Sequence, residues 1–160
     1  MPRQSKGELT HLNERGEMHM VDVGEKPATR RVAIAQTKVL LGAEAQKAIE
    51  SGAKKGDVFA AARFAGINAA KKTSELIPLC HALRLDHVDV ELLSESYGLR
   101  IVATATAYGP TGVEMEAMTA ASVSALTIYD MLKAVERGIV IESTFLLENR
   151  GGRSGLWQRS

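Results

Sequence analysis

A single cysteine, Cys80, stands among the 160 residues, which excludes an intrachain disulfide and a Cys-x-x-Cys pair for zinc or redox chemistry. Aromatic residues make up 4% of the chain, too few for the stacking platforms on which single-stranded nucleic-acid binders depend. Neither sign of charge dominates: 20 Lys plus Arg face 19 Asp plus Glu, so there is no global field to hold a polyanion. No apolar run approaches the ~20 residues of a membrane helix. The opening Met-Pro-Arg-Gln-Ser lacks a secretory apolar segment. The expectation is one soluble, cytoplasmic domain over residues 1–160, with no nucleic acid and no membrane among its partners. Residues 1–8 read as a flexible start and residues 149–160 as a flexible, glycine-rich tail.

What is present is organised in alternating segments. Arg31 to Leu41 reads as a first strand, ended by Gly42. Ala43 to Glu50 consists of strong helix formers, with Gly52 at the C-terminal cap position. Asp57 offers an N-cap to a second, alanine-rich helix that runs to Lys72, and Pro78 forbids helical continuation through Leu76 and Ile77. Asp86 to Leu92 alternates strictly, and so does Leu99 to Ala107, with a turn over Ser94 to Gly98. The two form a hairpin. A long helix follows to Arg137, capped by Gly138, and Ile139 to Leu147 is the last strand. The order β-α(α)-β-β-α-β predicts a ferredoxin-like α+β fold, an antiparallel sheet with helices on one face.

Two stretches carry most of the reactive side chains, Lys71 to His81 and Thr111 to Lys133. Asp130 and Lys133 share a helical face. They read either as a surface ion pair or, inside a cleft, as an acid/base pair. Glu114 and Glu116 flank Met115 at the passage from turn to helix. They are either a paired carboxylate site or anions favoured at a helix N-terminus, the second reading suiting Glu116 better. His81 sits at a junction where it can be a general acid/base or a structural histidine. Cys80 is a candidate nucleophile, although a single cysteine more often packs as a small hydrophobe. Lys55, in the connection before the second helix, suits a phosphate seat or is a solvated charge. The Gly-Gly-Arg-Ser-Gly run with Arg153 either closes over an anion or hangs free.

Taken together, the segments resemble the molybdenum cofactor biosynthesis protein C family, the cyclic pyranopterin monophosphate synthases. The likeness runs in colinear order through Leu9-Thr10-His11-Leu12, His19 to Val23, Lys55-Gly56-Asp57-Val58, Ser74 to His81, Thr111 to Ala117, Leu126 to Met131 and Gly151 to Gly155. Ala82 stands where a proline commonly follows the histidine, and Arg153 where a lysine is usual.

The resemblance implies a lyase of molybdopterin biosynthesis that converts 3′,8-cyclo-7,8-dihydro-GTP to cyclic pyranopterin monophosphate and releases pyrophosphate. It implies a homohexamer built as a trimer of dimers, with the site at a subunit boundary. Asp130 would be the general acid/base, Lys133 its partner and Lys55 a second catalytic lysine. Leu79, Cys80, His81, Glu114, Met115 and Glu116 would line the substrate, and Arg31 would meet a phosphate, with Arg153 also counted among the binding residues. No metal site and no resident cofactor are implied, Mg²⁺ accompanying the triphosphate being left open.

Two other classes compete. A ferredoxin-like ligand-sensing module explains the fold but leaves Asp130, Lys133, Glu114 and Lys55 without a task. An RNA-binding domain of that fold would need strand aromatics and a basic surface that this chain lacks.

Overall fold

A computed structural model describes residues 10–52 and 56–160 of the chain. Its strands are β1 (Thr29–Leu40), β2 (Leu85–Glu95), β3 (Gly98–Gly109), β4 (Val140–Arg150) and β5 (Leu156–Gln158), and its helices α1 (Ala43–Glu50), α2 (Val58–Lys71), the single turn α3 (Thr73–Leu76) and α4 (Glu114–Leu132). The sheet order is β2-β3-β1-β4-β5 and every pairing is antiparallel. The first four strands therefore have the interleaved order expected of the ferredoxin-like fold, in which each helical crossover skips one strand.

Period-two alternation decides which sheet face is covered. Ala33, Ala35, Thr37 and Val39 of β1 are fully buried, as are Ile101, Ala103 and Ala105 of β3, while Val32, Ile34, Val102 and Thr104 between them are half-buried. The helices pack on the buried side. Alanines in those rows hold the sheet surface low, so α4 lies close above it. At Gly66 of α2 an added Cβ would meet the Ala120 carbonyl oxygen at 2.9 Å and Val90 Cγ2 at 3.1 Å. Ser124 Oγ donates to the Ala62 carbonyl at 2.9 Å, which satisfies a hydroxyl buried in that contact. The small residues of α2 thus serve contact with α4 and β2 within the chain. Ile128 and Leu132 fill the far end of the interface and are fully buried, so truncating either to alanine costs about 2–5 kcal/mol.

The local signals act where expected at several points. Asp57 accepts a hydrogen bond from the Ala60 amide at 3.0 Å, and Gly52 follows α1 with φ of 80°. Ile77 is extended before Pro78, and α3 ends at Leu76. Other expectations are corrected. α2 stops at Lys71, and Thr73 Oγ1 then bonds back to the carbonyls of Ala69 and Ala70 to begin a separate turn. α4 ends at Leu132, not Arg137, and Gly138 is not its left-handed cap, because the Leu132 carbonyl accepts from the amides of both Val135 and Glu136 in a closing turn. Nor does the C-terminal segment hang free. A 3-10 turn at Gly152–Ser154 reverses it, and β5 pairs with Glu148 to Arg150. Gln158 Nε2 donates to Glu148 at 2.8 Å, and the Arg159 guanidinium lies over the Phe145 ring. Among the described residues no helix is long and apolar enough to cross a membrane.

Candidate active site

Register places the start of β1, the ends of β3 and β4 and the beginning of β2 at one end of the sheet: Thr29 lies opposite Gly109, Val32 opposite Arg150 and Leu85 opposite Ala107. α4 starts at that end. Its first residue is Glu114, at the passage from turn to helix. Asn149 of β4 donates from Nδ2 to Glu114 Oε1 at 2.5 Å. Gly112 lies directly under the same carboxylate, where any Cβ would overlap it. A side chain at this position would make the Glu114 carboxylate move.

Glu116 is 5% exposed. Burial first, and the Glu114 carboxylate after it, push its carboxyl above the ordinary range, against an opposing hydrogen bond from its own backbone. It stands in the first turn of α4, where an anion is favoured, but it is buried there. Cys80 is half-buried, and its thiol is pushed up by burial and then by Glu116 and Glu114. A raised thiol pKa keeps the sulfur protonated and argues against a nucleophile. His81 Nε2 lies 2.6 Å from the Val21 carbonyl oxygen. A carbonyl only accepts, so Nε2 carries the proton and Nδ1 is the ring atom able to take another. Leu79 is half-buried on the same loop, and Met115 is 36% exposed on the first turn of α4.

Arg31 joins this end from β1. Its Nη2 donates to the Pro110 carbonyl at 3.1 Å, while its buried Nε has no acceptor among the described residues. The tail passes directly over it: a Cβ at Gly152 would overlap the guanidinium, and one at Gly151 would overlap the Arg30 carbonyl. Both glycines have positive φ, 110° at Gly151 and 67° at Gly152. Arg153 is exposed in the turn that follows. The structure thus brings Arg31, Cys80, His81, Glu114 and Glu116 to one end of the sheet, and adds Asn149, which sequence reasoning missed. An asparagine on a half-buried strand carries no pattern of its own; only the β4 register aims it at Glu114.

Asp130 and Lys133 are elsewhere. Their side chains form a 2.6 Å ion pair, 62% and 52% exposed respectively, and the bond to Asp130 raises the lysine's pKa. Asp130 lies sixteen residues beyond Glu114 on α4, which at a rise of ~1.5 Å per residue separates them by about 24 Å. α2 runs antiparallel to α4, with Ala62 at Ser124 and Gly66 at Ala120, so its first residues lie toward the Asp130 end. Lys55 lies outside the described residues. Among the described residues no group of three or more His, Cys, Asp or Glu is arranged to hold a metal. The geometry consists of two separated constellations, one of carboxylates with arginine and histidine, the other a carboxylate–ammonium pair.

The chain is 55% identical over 155 residues, 95% of its length and 93% of the relative's, to a protein of Thermomicrobium roseum named cyclic pyranopterin monophosphate synthase. It is 54% identical over 152 residues, 94% of its length and 97% of the relative's, to a protein of the same name from Novosphingobium aromaticivorans. Residues 20–152 match the model of the MoaC family, a span that includes both constellations, and the chain belongs to that family.

Proposed function

We propose that the chain is a cyclic pyranopterin monophosphate synthase, a lyase acting on 3′,8-cyclo-7,8-dihydro-GTP in molybdenum cofactor biosynthesis. The observation that carries the activity is the identity of more than half over nearly the full length of relatives bearing that name. The residues suit the chemistry. The purine-derived ring is opened and rebuilt as a pyrazine, a sequence of proton transfers without net oxidation, so no resident cofactor is called for. In the phosphate cyclisation a ribose hydroxyl gives its proton to a base, its oxygen bonds to the α-phosphorus, and the bond from that phosphorus to the β-bridging oxygen breaks. Pyrophosphate departs with the electron pair, and Mg²⁺, where it takes part, arrives with the triphosphate.

In this reading Asp130 moves protons, and Lys133, ion-paired to it at 2.6 Å, delivers charge beside it. Lys55 is a second catalytic lysine. Arg31 and Arg153 neutralise phosphate charge, a role that at Arg31 suits a guanidinium N–H without an acceptor among the described residues. Glu114 and Glu116 accept from the ring nitrogens, and Leu79, Cys80, His81 and Met115 line the ring. A separation of about 24 Å cannot be bridged by one small substrate within a chain. The site is therefore completed by a neighbouring subunit whose Asp130 end meets the Glu114 end of this one, within a hexamer of three dimers.

The test is turnover of the cyclised nucleotide by the purified protein and by Asp130→Asn, which keeps the shape and removes the ionisable group. Formation of cyclic pyranopterin monophosphate and pyrophosphate by the first, with a loss of about 10²-fold or more in the second, is the expected result. Ligand binding without turnover by the unaltered protein would instead favour the sensing module.

A further inference from the structure

The turn that follows Lys133 is fastened to another element by one carboxylate. Glu136 Oε1 accepts from the Gly42 amide at 2.9 Å, and its Oε2 accepts from the Ala45 amide at 3.2 Å. Gly42 is the N-cap of α1 and has no side chain to cap the helix, so Glu136 supplies from a distant part of the chain the acceptor that a serine or aspartate would supply locally. The negative charge also suits that helix end. Gly42 has φ of −76°, ordinary for any residue, so its glycine is not demanded by the backbone. Space links it to the anchor instead: a Cβ there would stand 2.5 Å from Glu136 Oε1 and would make that carboxylate shift.

The segment between the cap and the catalytic pair is short and tightly bonded. The Lys133 amide donates to Tyr129 at 2.8 Å, and the amides of Val135 and Glu136 both donate to the carbonyl of fully buried Leu132, at 2.8 and 3.0 Å. Tyr129 Oη donates to the Arg137 carbonyl at 3.4 Å. A displacement of Glu136 is therefore passed to the Lys133 backbone through a turn with little slack. The Asp130 and Lys133 side chains are ion-paired to each other and more than half exposed.

We infer that Glu136 is a positioning residue for the Asp130–Lys133 pair: by bridging the Gly42 and Ala45 amides it anchors the end of α4 to α1 and sets where that pair meets substrate. The inference rests on the assignment of Asp130 and Lys133 to the reaction. Misplacement of a reacting group by about 1 Å can cost as much as 10²-fold in rate, so an anchor outside the site is felt in kcat.

The experiment compares Glu136→Ala, Glu136→Gln, Gly42→Ala and the Gly42→Ala/Glu136→Ala double variant in the full chain, by turnover of the cyclised nucleotide and by amide hydrogen exchange. Glu136→Ala is expected to lower kcat by about tenfold with KM changed less than twofold, and to speed exchange at Gly42, Ala45 and Lys133 to Glu136. Glu136→Gln keeps one acceptor oxygen and should recover part of kcat. Gly42→Ala displaces the carboxylate from the other side and should reproduce the kcat loss, the double variant being no worse than either single one. Folded Glu136→Ala protein with kcat within twofold of the original overturns the inference, as does a fall in Tm with kcat intact. Should Asp130→Asn keep its turnover, the underlying assignment fails instead, whatever Glu136 does.

Discussion

Asn149, the penultimate residue of β4, donates a 2.5 Å hydrogen bond to the carboxylate of Glu114, the first residue of α4. The bond ties a strand end to a helix start across the mouth of the candidate site and holds one oxygen of Glu114 in a set direction. Beneath it Gly112 leaves the carboxylate its space. Asn149 itself is held by its antiparallel partners, Ala33 on one side and Trp157 on the other.

Removing that donor should release Glu114 without unfolding the protein. A hydrogen bond to an ionised group contributes about 1.5–3 kcal/mol, so Asn149→Ala is expected to lower kcat/KM for the cyclised nucleotide by roughly tenfold or more. Asn149→Asp should be worse, since it sets a further carboxylate against Glu114. Steady-state kinetics on the two variants decides this, and an aspartate variant as active as the original would remove Asn149 from the site.

Glu116 makes stability depend on pH in a direction opposite to that of an ordinary paired carboxylate. Its folded pKa lies above the ordinary 4.5 because burial, and then Glu114, disfavour the ionised form. The folded chain thus holds this proton more tightly than the unfolded chain, and stability falls as pH rises from the ordinary value through the raised one. Below that interval no penalty operates; above it the penalty is complete. Glu116→Gln should therefore raise Tm near neutral pH, with the gain vanishing as the pH falls below 4.5. Thermal melts of both proteins across that range measure it, and a gain that is the same at every pH would mean that the carboxyl is not strained.

Cys80 offers a chemical readout of the same cluster. Burial, Glu116 and Glu114, in that order, push its thiol above the ordinary 9.0. Alkylation by iodoacetamide should be slow at neutral pH, with its rate rising along a limb centred above 9.0. Glu116→Gln should draw that limb downward. Rapid labelling at pH 7 would show that the thiolate is stabilised there and would reopen the nucleophile.

Complementation tests whether the two ends of α4 meet across subunits. Glu114→Gln and Asp130→Asn proteins, each inactive, are unfolded together and reassembled. Random pairing makes about half of the dimers mixed, and each mixed dimer has one intact site of two, so roughly a quarter of the original activity should return. Proven subunit exchange with no recovered activity would place both residues in a site built by one chain.

The alternation of Asp86 to Leu92 and Leu99 to Ala107, the alanine-rich helices, the Asp57 cap and the break at Pro78 are local, and the sequence alone specified them. Strand alternation and helix capping depend on neighbours a few residues away, so no tertiary information is needed to read them. From these the α+β class and the element order β-α(α)-β-β-α-β followed, and the shared helical face of Asp130 and Lys133 followed from their spacing. The tertiary structure decided the rest, because it depends on contacts between residues far apart in the chain. α4 stops at Leu132, where turn amides and the Glu136 anchor on α1 take over from the helix. The C-terminal segment becomes a strand because the edge of β4 offers unpaired backbone groups to complete. Glu116 is buried, Asn149 reaches Glu114 and Cys80 comes under two carboxylates only once β3, β4 and α4 converge. Residue type and spacing nominate the reacting groups; burial and register, which belong to the whole fold, set their distances and their protons.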